Sequence, residues 1–530
     1  MKKRITVFLC ALIISLGGLL IKIAYIGSIG VAKEAAALQS MRTFELSETR
    51  AGIFDRNLSP LVNENKERKL VVFPEVLDIS AIAEYSDRET LAEVFQKNGP
   101  SVIDTGGKII EGSGIYNFSS AKRYSEKQKA VHIIGYINKG EGVFGAEKSF
   151  DAFLKENSEK VSVTYYTDGT GRLLSGEEIT LNEEETFENC GVVLTLDSEI
   201  QSVTEKALDE SLEKGAAVVM DIESGEILAS ASVPDFEPDK IAEYLNANGS
   251  PFINRAFSAY SVGSTWKLVV AAAALESGID KERKYNCSGS IEVDGRIYKC
   301  HWEYGHGEID MAKALEISCN PYFIDLAIEV GGEKILETAK NLGFGSPVYF
   351  GDDWYSSAGN LPKEGSLSAK TVLASFAFGQ GELLATPVQM AVLASAVANG
   401  GKAVTPKLVL GTYDKNGNYE GTPEYSKNPV MSKNTADTIK EMMIGVVENG
   451  SGTNAKPLGS SAGGKTASAQ TGQFDSEGEE IIHAWFVGFY PADKPKYAVA
   501  VFAEGMNSGG EFAAPVFRKI CEGIEKLKYY

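Results

Sequence analysis

Apolar and polar positions follow three different regimes along this chain. At the start an apolar run extends from Ile5 to Ile21 and, past Lys22, resumes as IAYIGSIGVA to about Val31. About 20 apolar residues cross the hydrocarbon of a bilayer as a helix, and the stem of Lys22 can snorkel to an interface. The pattern predicts a single span, with Met1-Lys2-Lys3-Arg4 holding its start on the cytoplasmic side and the rest of the chain facing outward. A cleaved signal peptide is the competing reading, with small residues from Ala32 to Ala37 as the cut site. The run is longer than a usual signal core, which favours an uncleaved anchor.

The second regime, residues 32–190, mixes short patterns. Residues 32–49 read as a juxtamembrane helix or an extended linker. The stretch TRAGIFDRNLSPLVNENKERKLVVFPEV reads as strand and turn, with Asp55-Arg56-Asn57 in a polar turn. One helix is predicted from Asp87 to a close at Gly99-Pro100, and another from about Ala146. The acidic stretch through Glu183-Glu184-Glu185 to Asn189 reads as a solvated loop. These signals describe an α+β module without a catalytic cluster.

From Gly191 the patterns lengthen. A strand leads into a helix capped by Asp197 or Ser198 and ended by Gly215, and a hairpin follows across Glu223-Ser224-Gly225-Glu226. After Lys267 a helix is apolar on nearly every side and stops at Gly278, so it is predicted to be buried. Alternating strands recur at HAWFVGFYP and KYAVAVFAEG. The expected fold class is α+β, helices packed on an antiparallel sheet, in three consecutive parts: 1–31 anchor, 32–190 non-catalytic module, 191–530 catalytic domain.

Composition narrows the function. A net charge of −20 argues against a nucleic-acid partner, which needs a basic surface. Six cysteines are too few for a disulfide framework in an exported chain of this size. Cys287 and Cys300 flank CSGSIEVDGRIYKC, a hairpin turning at Asp294-Gly295, and are placed to pair. His301 and His306 lie in the same loop and give it a superficial likeness to a zinc site. There is no Cys-x-x-Cys and the histidines are loosely spaced, so no metal is expected.

Three constellations carry the candidate chemistry. Ser264 and Lys267, in YSVGSTWKLVV, stand one helical turn apart, so hydroxyl and amine can meet. Burial strips the amine of water and favours its neutral form, a general base beside a nucleophile. Ser318 and Asn320 occupy a turn between two helical patterns. Lys465, Thr466, Ala467 and Ser468 lie in SAGGKTASAQTG, an expected edge strand whose small neighbours let a peptide lie alongside. Each has a bland reading: Ser264 as a helix cap with a snorkelling lysine, Ser-x-Asn as a polar turn, Lys465 on a glycine-rich surface loop. Their order and spacing together form the set found in penicillin-interacting serine enzymes.

The whole chain resembles the class B penicillin-binding proteins, bacterial peptidoglycan D,D-transpeptidases. TRAGIFDRNLSPLV resembles the family signature Arg-Gly-x-Ile-x-Asp-Arg-Asn-Gly-x-x-Leu, departing at Ala51 and Leu58, where glycine is usual. RYSEKQKAVHIIGYIN and GVFGAEKSFDAFL resemble later motifs of the family's pedestal, a dimerisation-type domain. AAVVMDIESGEILASASVPDFEPD, NRAFSAYSVGSTWK, ALEISCNPYF and FGQGELLATPVQMAVLASAVANGG resemble blocks of its transpeptidase domain, whose fold is that of serine β-lactamases. Trp266 stands where phenylalanine is usual, and Ala467 where the Lys-Thr-Gly motif has glycine, a change that narrows the cleft or shifts affinity for β-lactams.

The resemblance implies that Ser264 attacks the penultimate D-Ala carbonyl of a stem peptide while Lys267 takes its proton. Ser318 relays a proton to the leaving amine, and Lys465 tunes it. Asn320 and Thr466 bind the substrate amide and carboxylate, and the N–H groups of Ser264 and Ser468 hold the oxyanion. No metal or organic cofactor is implied. The implied partners are stem peptides, β-lactam antibiotics and a membrane glycosyltransferase of the shape, elongation, division and sporulation class. Alternative readings are a D,D-carboxypeptidase or β-lactamase on the same scaffold, or a non-enzymatic β-lactam sensor or scaffold.

Overall fold

A computed structural model describes residues 2–28, 37–83, 85, 88–96, 99–174, 176–184, 187–351, 353–422 and 427–527. Helix α1, Lys2–Ser28, is long and apolar enough to cross a membrane. The expected end of the anchor near Val31, the helix start at Asp87 and the acidic Glu185 lie outside the described residues.

The described chain forms two compact units, and they are not consecutive blocks. One comprises Met1–Arg50, Asn63–Arg123 and Ser158–Thr186; the other comprises Ala51–Val62, Tyr124–Asn157 and Phe187–Tyr530. The single boundary expected at 190/191 is therefore replaced by several crossings. The reason is local. Residues 52–54 pair in parallel with 191–193, and the fully buried Asp55 carboxylate accepts from Asn57 N, Ser59 N, Ser198 N and Ser198 Oγ at 2.7–3.1 Å. A buried carboxylate needs such donors, so the polar turn at 55–57 is tied into the larger unit.

In the first unit, residues 41–49, read as helix or linker, form strand β1, Met41–Thr49. Strands β2 (Asn65–Val72), β3 (Ser101–Asp104) and β4 (Ile115–Lys122) make one three-stranded sheet in the order β3-β2-β4. Strands β5 (Glu159–Tyr166) and β6 (Thr180–Glu183) continue from β1 in a second. Alternation in KLVVF divides the sides: Leu70 and Val72 pack with Val94 of helix α2 (Arg88–Gln96), while Val71 and Phe73 pack with Val161 and Val163.

The second unit is built on one antiparallel sheet. Helix α3 (Ser198–Asp209) is capped by Asp197, whose side chain accepts from Glu199 N and Ile200 N. The predicted hairpin follows as β7 (Gly215–Asp221) and β8 (Ile227–Val233). Then come helix α4 (Lys267–Glu276) and four short strands: β9 (Tyr285–Cys287), β10 (Ser290–Val293), β11 (Arg296–Lys299) and β12 (Gly307–Ile309). The turn between β10 and β11 is Asp294-Gly295, both at positive φ, as the hairpin pattern predicts. Helices α5 (Met311–Glu316), α6 (Asn320–Val330), α7 (Pro387–Ala398) and α8 (Lys433–Asn449) follow. Strands β13 (Gly463–Phe474), β14 (Glu480–Tyr490) and β15 (Tyr497–Ala503) and helix α9 (Ala514–Leu527) complete the unit.

The sheet order is β8-β7-β15-β14-β13. Ala216, Val218 and Met220 face a core shared with α4 and α7, whereas Ala217 and Val219 face α3 and α9. Both faces are covered, so these strands read as continuous apolar runs rather than alternating ones. Strand β13 lies at the sheet edge, as expected for the strand carrying Lys465.

Candidate active site

Ser264 sits in a 3₁₀ turn, Gly263–Trp266, that runs directly into α4. Two features force glycine at 263. Its φ is +54°, and a Cβ there would stand 3.0 Å from Ala469 Cβ and 3.3 Å from Ala467 Cβ. The Trp485 indole anchors the approach by donating to Ser261 O at 2.8 Å. Ser264 remains half-buried, while every residue from Lys267 to Ala274 is buried.

The second constellation is a helix end. Cys319 N donates to Ala314 O and Ser318 N to Leu315 O, the two bonds of a Schellman closure. That closure wants a left-handed residue, usually glycine; here it is Ser318, at φ +56°. A non-glycine residue in that region costs about 1–2 kcal/mol. The strained geometry sends both the Ser318 hydroxyl and its carbonyl toward the same amine. Lys267 Nζ donates to Ser318 O at 2.7 Å, Ser318 Oγ at 3.1 Å and Asn320 Oδ1 at 2.7 Å.

These contacts correct one expectation. Among the described residues Lys267 Nζ makes no hydrogen bond to Ser264 Oγ; its three donors go to the Ser-x-Asn turn. The physical reason is burial. A lysine removed from water takes the strongest acceptors within reach, here a carbonyl and an amide oxygen. Burial also lowers its pKa from the usual lysine value to about 7. In the neutral state two N–H bonds suffice for the two obligate acceptors. The Ser318 hydroxyl is then free to turn its own O–H to the lone pair.

Lys465 is fully buried, and its Nζ donates to Thr466 O at 3.0 Å and Thr466 Oγ1 at 3.4 Å. Burial, and next the proximity of Lys267, push its pKa well down. Two amines this close and this dry cannot both hold a proton cheaply. Thr466 Oγ1 is also within 2.7 Å of Ser451 Oγ, a residue the sequence reading missed; its NGSG context after α8 marks only a turn. Ser468 is exposed on the edge strand and accepts from Gly509 N at 3.4 Å. Ala467 is buried, its methyl packed toward Gly263 under the Ser264 turn rather than out into solvent.

The first, second and third constellations are thus assembled around two buried amines. Residues 215–522 match the family model described as the penicillin binding protein transpeptidase domain. The chain is similar to stage V sporulation protein D of Bacillus subtilis (strain 168), 29% identical over 518 residues that cover 90% of this chain and 78% of the relative. It is similar to the peptidoglycan D,D-transpeptidase MrdA of Acinetobacter baumannii, 30% identical over 441 residues covering 73% of this chain and 64% of the relative. In fold it resembles penicillin binding protein 3 of Mycobacterium tuberculosis, solved in complex with aztreonam, with a TM-score of 0.66, 23% identity and coverage of 92% and 97% of the two chains. The matched domain spans more than half of the sequence, and the chain belongs to the penicillin-binding protein transpeptidase family.

Proposed function

We propose that this protein cross-links peptidoglycan stem peptides as a serine D,D-transpeptidase and is acylated by β-lactams at the same serine. The observation that carries the reading is the buried Lys267 amine, held near neutrality by desolvation within the turn of the helix that presents Ser264. In this reading Ser264 Oγ attacks the penultimate D-Ala carbonyl. The substrate amide N–H takes Asn320 Oδ1, which loosens Lys267 and lets its lone pair receive the Ser264 proton. Ser318 Oγ, already at 3.1 Å from Nζ, passes a proton to the departing D-Ala amine. Thr466 Oγ1 binds the terminal carboxylate of the peptide, and Lys465, buried behind it, tunes the Ser318 relay electrostatically. The N–H groups of Ser264 and Ser468 stabilise the oxyanion; each such donor contributes roughly 10²–10³ in rate. The acyl-enzyme is released by an amine of a neighbouring strand, and edge strand β13 offers main-chain hydrogen bonds to the substrate.

The remaining parts of the reading follow from the anchor. Helix α1 tethers the chain to the cell membrane with the larger unit on the extracytoplasmic side, where the substrate lies. The smaller unit acts as its pedestal. A membrane glycosyltransferase of the shape, elongation, division and sporulation class would supply the glycan strands.

The test is a purified full-length chain given a peptide ending in D-Ala-D-Ala together with a D-amino acid acceptor. Aminolysed product with release of D-Ala is expected. Hydrolysis alone would make the protein a carboxypeptidase, rapid turnover of penicillin a β-lactamase, and no product of either kind a sensor or scaffold.

A further inference from the structure

Four side chains that the reaction does not use converge beside the Ser318 turn. Cys287 ends β9, Cys300 follows β11, His306 precedes β12 and Cys319 is the N-cap of α6. Their ligand atoms all lie within 4.8 Å of one another. His306 Nδ1 is 3.5 Å from Cys300 Sγ, and the three thiols are buried and unpaired by any disulfide. The residues come from separate elements, so a single local turn does not explain their meeting.

The backbone around them is rigidly set. Cys287 pairs with Gly307 across the β9–β12 ladder, and Cys300 N donates to Gly289 O at 2.8 Å. A Cβ on Gly305 would stand 2.3 Å from Cys287 O, so the loop passes too close for any side chain. Buried cysteines that serve only as small hydrophobes have no reason to face one another and an imidazole at this range.

We propose that Cys287, Cys300, His306 and Cys319 form a closed Cys₃His site for a soft divalent ion, zinc by its ligand chemistry, which fixes the turn bearing Ser318 and Asn320. A tetrahedral zinc with Zn–S of about 2.3 Å and Zn–N of about 2.0 Å holds its ligand atoms roughly 3.5–3.8 Å apart. The widest separation in the cluster needs to shorten by about 1.0–1.3 Å to reach that. Four protein ligands leave no open position, the hallmark of a structural rather than a catalytic ion. The placement gives the ion its consequence. Cys319 is the residue between Ser318 and Asn320, the two that hold Lys267. The sequence reading gives no metal because Cys287, Cys300, His301 and His306 include no Cys-x-x-Cys and the histidines are loosely spaced. Cys319 is the ligand it lacked, and His301 drops out, exposed and 3.9 Å from Cys300 Sγ.

The full-length chain, purified in detergent under reducing conditions, is expected to carry about one zinc per chain by elemental analysis. After chelation, cobalt(II) should bind with thiolate-to-cobalt charge-transfer and tetrahedral d–d bands. Reloading zinc should slow amide exchange across residues 315–322 by roughly tenfold. Cys287→Ser and His306→Ala should lose most of the metal, and Cys521→Ser, altered at a cysteine outside the cluster, should keep it. Wild-type protein that purifies without metal and takes up neither added zinc nor cobalt would overturn the site, however the variants behave. Metal uptake with unchanged exchange at 315–322 would overturn the fixing of the turn.

Discussion

Replacing Lys267 probes the proposed base directly. An ordinary lysine, with a pKa of about 10.4, is neutral in only about 4 molecules in 10⁴ at pH 7. With the pKa held at about 7, half of the Lys267 population is neutral. Burial therefore raises the supply of base by about 10³-fold at that pH. The sign follows: the active form is the deprotonated amine, so acylation by a fluorescent penicillin should rise with pH, inflect near 7 and then level. A positioned general base contributes roughly 10²–10⁴ in rate. Lys267→Ala should lower the second-order acylation constant by that factor and leave a flat profile between about pH 6 and 9. Lys267→Arg separates chemistry from support, because a guanidinium still donates to Ser318 O and Asn320 Oδ1 but has no lone pair to offer at these pH values. It should be as slow as the alanine variant while keeping more of the thermal stability. The reasoning is refuted by a folded Lys267→Ala protein within tenfold of wild type, or by a wild-type inflection near that of free lysine.

Other expectations follow from departures and supports described above. Trp266 is buried against Phe344 and Phe376 with its Nε1 lacking a partner among the described residues. Such an orphan donor costs about 1–3 kcal/mol, so Trp266→Phe should change stability by less than about 1 kcal/mol despite the lost area; a loss above about 3 kcal/mol in denaturant titration would contradict this. Leu58 sits at φ +62° where the family has glycine. Leu58→Gly should be neutral or stabilising by up to about 1 kcal/mol, relief of left-handed strain outweighing chain entropy, and a clear fall in Tm would count against it. Asp55→Ala strands four donors on one buried site and should cost about 2–4 kcal/mol, measured as a shift in the unfolding midpoint; an unchanged midpoint would remove Asp55 as the tie between residues 51–62 and α3.

Much of the site was legible because its chemistry is carried by short, locally folded motifs. Gly263-Ser264 before a uniformly apolar run announces a buried helix that presents a hydroxyl, and the Asp294-Gly295 hairpin and the edge position of β13 follow from turn and strand patterns. What escaped is non-local. The destination of the Lys267 donors depends on a helix end fifty residues away and on a serine forced into a glycine conformation. The split between units depends on Asp55 reaching Ser198, which no pattern in 49–76 foretells. The Cys₃His cluster draws its ligands from four elements at spacings that match no linear metal motif. Ala467 illustrates the converse: sequence flagged the substitution, but only packing shows its methyl turned inward against Gly263.

Site-resolved mass spectrometry of the full-length chain after exposure to benzylpenicillin tests the central claim most directly. The account predicts a single adduct on the peptide containing Ser264, decaying slowly and absent in Ser264→Ala. An adduct on any other residue, or none on correctly folded protein, would contradict it.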